Sequence, residues 1–297
     1  MICDAHIHYI PLEIADQTSF YKGPWADKHA LYDFLEVNNI EQALLVYPST
    51  DAHLKLGSYG QVCRIYNKAV SGLMKENLKI IAAGLIDLED ISSLDSQVQR
   101  LADEGFRLVS LASSYGGRFL IDKVKSLLGV LDRFGFAVFV HPQTLNPIGF
   151  GRVKDPLLMP VLEYSFDVSM FLGLLMTEGL LSGRRVRFIF SSLAGVMPFL
   201  KERFDRVYTM LRQRGMVKDL GSLPSQILRG VYVDTSGASI GNLRLALELF
   251  GEDKLLWGSD YPVCGDISRN ISVLDTLGED LKEKIIYSNF ARLFNHG

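Results

Sequence analysis

The residues best suited to chemistry stand at the start of the chain, in Ile2-Cys-Asp-Ala-His-Ile-His8. In an extended strand residues i and i+2 point to the same side, so His6 and His8 face one spot. Two imidazoles desolvated together need partners for their ring nitrogens, and a divalent metal ion is one such partner. A hydrogen-bonded pair of core histidines would answer the same need, so further ligands must come from elsewhere in the chain. Two candidates stand out by position: His141 closes the apolar run Phe136-Ala-Val-Phe-Val140, and Asp260 follows Leu255-Leu-Trp-Gly-Ser259; His53 lies in the loop after Gln42-Ala-Leu-Leu-Val-Tyr-Pro48.

The elements that would position these residues repeat in a simple order. After the first strand, Pro11 to Pro24 reads as a loop long enough to border a pocket, and helix-spaced apolar residues run from Asp27 to Asn38. Strand 42–48 is nearly continuous in apolar character, as a strand covered on both faces should be. Helix 61–76, strand 79–86, helix 92–104, strand 107–111, helix 121–134 and strand 136–140 follow. A loop from Gln143 to Asp155 leads into a helical region ending near Leu181. Strands 187–190, 230–234 and 255–259 complete the count. Eight strands alternating with helices, without hairpin signals or a dividing linker, predict a single-domain, distorted TIM (β/α)8 barrel over 1–297. In that fold the active site lies at the C-terminal ends of the strands, which is where His6, His8, His141 and Asp260 fall.

Composition narrows the class. Apolar residues make up 48% and charged residues 22%, a globular balance, and the net charge of −3 is interspersed, with no basic run to suggest nucleic acid. Cys3, Cys63 and Cys264 are odd in number and scattered, against a disulfide framework and for a reducing compartment. No cleavable leader pattern precedes the first strand, and the apolar stretch Phe171 to Met176 is too short to cross a bilayer. A cytoplasmic protein without a membrane partner is the expectation.

Several stretches together resemble the amidohydrolase superfamily, within it the branch of aminocarboxymuconate semialdehyde decarboxylase and the resorcylate-type decarboxylases. They are Asp4-Ala-His-Ile-His8, Phe139-Val-His-Pro142, Arg187-Phe-Ile-Phe-Ser-Ser-Leu-Ala-Gly195 with Pro198-Phe-Leu200, Trp257-Gly-Ser-Asp-Tyr-Pro262 and Ser288-Asn-Phe-Ala-Arg-Leu-Phe294. The resemblance implies a metal-dependent hydrolase-type barrel in which His6, His8, His141 and Asp260 hold one divalent ion. Three imidazoles and a carboxylate suit zinc, with manganese as the alternative. It also implies that Asp260 doubles as proton acceptor. One departure stands out: where relatives carry a histidine after strand six, this chain has Ser192, and Ala194 replaces a glycine. A serine hydroxyl donates and accepts hydrogen bonds but is no base near pH 7.

Hydrolysis and decarboxylation of a small organic carboxylate are both compatible with this set, catalysed by Asp260 with Ser192 beside it. The rival reading is a non-catalytic relative that binds a small metabolite after losing the strand-six histidine. Arg118 and Arg152 are candidates to clamp a substrate carboxylate, and His53 to contact substrate. Asp234 reads as the cap of the helix that follows it. The apolar run Phe166 to Leu175 is core, lid or dimer surface. The expected partners are the small-molecule substrate and further copies of the chain, a dimer being favoured.

Overall fold

The computed structural model describes residues 1–18, 20–144 and 155–294. Eight strands run in chain order: β1 (Ile2–His8), β2 (Ile40–Val46), β3 (Ile80–Ala82), β4 (Leu108–Ala112), β5 (Ala137–His141), β6 (Phe188–Phe190), β7 (Tyr232–Asp234) and β8 (Leu255–Leu256). Every ladder is parallel and pairs sequence neighbours. The alternation of strand and helix forces this, because a parallel partner needs a long crossover and the helix supplies it. β4 and β5 are buried along their whole length, as their nearly continuous apolar runs require, Ser110 being the one polar residue before the closing His141.

The ladder is interrupted twice. β1 to β3 form one sheet and β4 to β8 another. Isolated bridges join them at both seams, Gly84 with Val109 and Ile7 with Tyr261. At the second seam the Ala5 amide donates to Trp257, the His8 amide to Tyr261 and the Asp260 amide to the His6 carbonyl, at 2.8–2.9 Å. The result is the expected distorted barrel, with β3 and β8 shorter than their apolar runs. Each of these strands is followed by a glycine with no room for a side chain. A Cβ on Gly84 would lie 2.7 Å from the Leu101 side chain, and one on Gly258 would lie 2.9 Å from His6 Cβ.

Helix ends follow local chemistry. Asp27 accepts hydrogen bonds from the amides of His29 and Ala30 to open helix Lys28–Val37, and Ser58 does the same from Gln61 for helix Tyr59–Glu76. Gly135, with φ 69°, closes Ile121–Phe134 in the left-handed conformation that glycine adopts without strain. The barrel interior is filled by small and large side chains in contact, among them Ala5, Leu44, Val46, Leu108, Phe139 and Leu256. Phe290 and Leu293 of helix Asn289–Phe294 join the same cluster. Each such Leu or Phe contributes about 1.5–3 kcal/mol through burial.

The helix after β5 corrects an expectation. Met159–Thr177 is one helical run of 19 residues, long and apolar enough by length and composition alone to cross a membrane, where the sequence suggested only Phe171 to Met176. One face docks on the barrel: Val168, Phe171, Leu172 and Leu175 are in the core, and the Ser113 hydroxyl donates to buried Asp167. The other face leaves Val161, Leu162, Phe166 and Met170 about half exposed. The Phe166 to Leu175 run is therefore part core and part surface.

Candidate metal centre

β1 ends in the two histidines, and the fold brings β5 and the chain after β8 alongside them. His6, His8 and His141 are buried, and their ligand nitrogens lie within 4.8 Å of one another. His6 Nε2 is 3.1 Å from His8 Nε2. Asp260 Oδ1 approaches to 3.2 Å from His8 Nε2 and 3.7 Å from His6 Nε2. Asp260 holds this position with φ 62°, a left-handed backbone that costs a non-glycine residue about 1 kcal/mol or more.

The other ring nitrogens explain the convergence. His8 Nδ1 donates to the Val46 carbonyl at 2.9 Å, and His141 Nδ1 donates to the Pro142 carbonyl at 2.9 Å. His6 Nδ1 donates to Asp234 Oδ2 at 2.9 Å, with the Ser236 hydroxyl oxygen at the same distance. Every one of these partners is an acceptor, so each neutral ring carries its proton on Nδ1 and turns an Nε2 lone pair inward. Three lone pairs and a carboxylate oxygen facing one point repel unless a cation sits among them. The donor set fits a divalent ion: three imidazoles with outer-face hydrogen bonds and one carboxylate are an ordinary zinc-type set.

The electrostatics set His6 apart from the other two rings. Burial resists charge on His6, but Asp234 and Asp260 outweigh it and lift the ring to about 9. Burial lowers His8 and drives His141 well below the ordinary histidine value, with the neighbouring rings adding repulsion. For Asp260 burial favours the neutral form, yet the neighbouring imidazoles, His8 and His6 foremost, hold it below the usual carboxylate range.

A further buried carboxyl braces the site. Asp4 Oδ1 accepts from the His6 and Ser259 amides, both at 3.0 Å, fixing β1 against the chain just before Asp260. Burial pushes this carboxyl up to about 7. On the outer side Trp25 stacks on His8 with ring centroids 5.4 Å apart. Tyr21 hydrogen-bonds Thr144 at 2.9 Å, and the Thr144 hydroxyl reaches the carbonyls of Pro48 and Ser49. The loop that the sequence placed beside a pocket is thereby tied to the loops after β2 and β5. With the histidines nearly covered, Asp260, whose side chain is 30% exposed, marks the open side.

The remaining predicted residues are spread out. Ser192 is exposed, with φ 49°, and Leu193 and Ala194 continue the left-handed turn; its amide donates to Asp234 at 3.1 Å. His53 sits in helix Ala52–Leu56, edge-on to Tyr59 at 6.3 Å, and is not in the histidine group. Arg118 is exposed in a turn closed by backbone bonds to Tyr115, and among the described residues its side chain makes no ion pair. Arg152 lies outside the described residues. Asp234 corrects the sequence reading: the following helix is capped by Ser239, and the aspartate turns to His6 instead. Its place at a strand's C-terminal end was the available signal. Asp4 carried none, since a buried carboxyl bonded to amides looks like any strand residue.

The family model described as amidohydrolase matches residues 3–295. No curated protein matches the sequence. Solved structures do: 5-carboxyvanillate decarboxylase from Sphingomonas paucimobilis superposes with a TM-score of 0.84 at 16% identity, covering 99% of this chain and 98% of that one. For 2,6-dihydroxybenzoate decarboxylase from Rhizobium the values are 0.80, 18%, 99% and 99%. The 5-carboxyvanillate decarboxylase from Novosphingobium aromaticivorans, complexed with manganese and 4-hydroxy-3-methoxy-5-nitrobenzoic acid, gives 0.82, 16%, 99% and 96%. At these identities the likeness is one of fold.

Proposed function

Since the chain belongs to the amidohydrolase family, we propose that it is a divalent-metal enzyme that removes the carboxyl group of a small organic carboxylate. The observation that carries this reading is the set of inward Nε2 atoms on His6, His8 and His141, each ring held from behind by an acceptor. These residues with Asp260 would hold the ion, zinc by donor preference and manganese by analogy with the complexed neighbour. A bound ion supplies positive charge that anchors a carboxylate and an adjacent oxygen.

The protein's own part falls to Asp260 and the walls. Asp260, kept ionised and facing the open side, accepts a proton from substrate or water and returns it to the carbon that loses carbon dioxide. Trp25 and the Tyr21–Thr144 contact limit access of water. Hydrolysis is the second reading, supported by the same ionised Asp260 as acceptor of the water proton. Decarboxylases among the neighbours support aromatic carboxylates as the first class to try. A homodimer is proposed as the working unit, supported by the exposed apolar face of helix Met159–Thr177.

The test is metal content of purified protein, then carbon dioxide release from a panel of aromatic carboxylates beside hydrolysis of lactones and amides. One equivalent of metal and turnover abolished in D260N is the expected result. Metal-loaded protein without turnover on any class, but with ligand-induced stabilisation, would replace the enzyme by a metabolite-binding relative.

A further inference from the structure

Asp234 has more contacts than a helix cap or a bystander needs. It is fully buried at the end of β7, and its two oxygens are divided between two tasks. Oδ2 accepts from His6 Nδ1 at 2.9 Å. Oδ1 accepts from the Ser236 amide at 2.8 Å, the Ser236 hydroxyl, and the Ser192 amide at 3.1 Å. A carboxylate with three donors on one oxygen is not free to rotate, so the other oxygen is presented to His6 in one direction only. The Ser236 hydroxyl, donating to Oδ1, also lies 2.9 Å from His6 Nδ1 and closes the small ring of contacts. Gly258 lets this happen, because a Cβ there would sit 3.0 Å from Ser236 Oγ and 2.9 Å from His6 Cβ.

We propose that Asp234 is a positioning residue of the metal centre: it fixes the tautomer and direction of His6 and ties that ligand to the left-handed Ser192–Ala194 turn. The inference rests on the metal-enzyme reading above. Its chemical content is specific. A carboxylate can only accept at His6 Nδ1, which keeps the proton there and the lone pair on Nε2. An amide at position 234 can keep its oxygen toward the Ser236 and Ser192 donors, but its NH2 then faces His6. The imidazole must accept at Nδ1, its proton moves to Nε2, and the ligand atom is lost without any change in packing volume. The same contacts make the strand-six turn, where a histidine is missing, mechanically continuous with a ligand of the ion.

The experiment compares wild type, D234N and S236A, using zinc alone as the probe. Affinity is read by competition with a chromophoric chelator, release by transfer to excess EDTA, and folding by the unfolding midpoint of metal-free protein. Wild type is expected to take one zinc. D234N should bind about 10–100-fold more weakly and release faster, with its metal-free midpoint close to wild type. S236A keeps the carboxylate and loses one of its donors, so its affinity should fall by a smaller factor. If D234N does not fold, S236A carries the test: an affinity equal to wild type overturns the proposal. D234N binding zinc as tightly as wild type also overturns it while leaving the metal reading intact. Wild type that takes no zinc removes both.

Discussion

His6 Nε2 and His8 Nε2 lie 3.1 Å apart although neither neutral ring has a proton to place between them. His8 has committed its hydrogen to the Val46 carbonyl and His6 its own to Asp234. In metal-free protein the conflict is relieved by protonating His6, whose value is lifted to about 9, and the extra proton then lies toward His8 and Asp260.

That proton must leave when metal enters. His8 and His141 are shifted downward and stay neutral through the same range. Between about pH 7 and pH 8.5, apparent metal affinity should therefore rise about tenfold per pH unit, with close to one proton released per ion. Calorimetric titration in buffers of different ionisation enthalpy measures the proton count. A count of zero or two would contradict the assignment. The sign for stability is opposite: His6 has a folded value above its unfolded one, so its contribution to metal-free protein is complete below about 6.5. It is lost as pH rises through about 9.

Gly258→Ala should damage the site through crowding. The added carbon would meet His6 Cβ at 2.9 Å and Ser236 Oγ at 3.0 Å in a fully packed wall. We expect a loss of about 1–3 kcal/mol in urea unfolding, together with weaker metal binding. Wild-type stability with wild-type affinity would mean that β1 and β8 are not in this register.

Ser192→His tests the enzyme against a relic. The position is exposed and left-handed, a conformation histidine tolerates better than most residues, so stability should change by no more than about 0.5 kcal/mol. Turnover of the native substrate should fall in an enzyme adapted to serine on this turn, whose backbone holds Asp234. New activity where wild type has none would instead identify a protein that had lost its catalyst.

Thiol reactivity should separate the three cysteines. Cys3 is buried inside the barrel and burial pushes its thiol up to about 12, while Cys63 is raised well above the ordinary value for the same reason. Cys264 is partly exposed. Native protein treated with iodoacetamide at pH 8 should be modified first at Cys264, as read by peptide mass mapping. Prompt labelling of Cys3 would place β1 outside the barrel.

The ligand set was legible in the chain because its signal is local. Strand periodicity alone puts His6 and His8 on one side, and the ends of apolar runs mark His141 and Asp260. Repetition of strand and helix likewise specifies a parallel barrel, since no other closed arrangement buries eight such strands on both faces. What only the tertiary structure decided is which groups stand behind the ligands. Asp234 is 228 residues from His6 in sequence and Asp4 is 255 from Ser259, and nothing in spacing or composition distinguishes such a carboxyl from a helix cap. The split of the barrel into two sheets was hidden for a similar reason. At the two seams stand Gly84 and Gly258, where Leu101 and His6 occupy the room a Cβ would need, and such close approach is a property of packing between distant segments, set by side-chain volume in three dimensions.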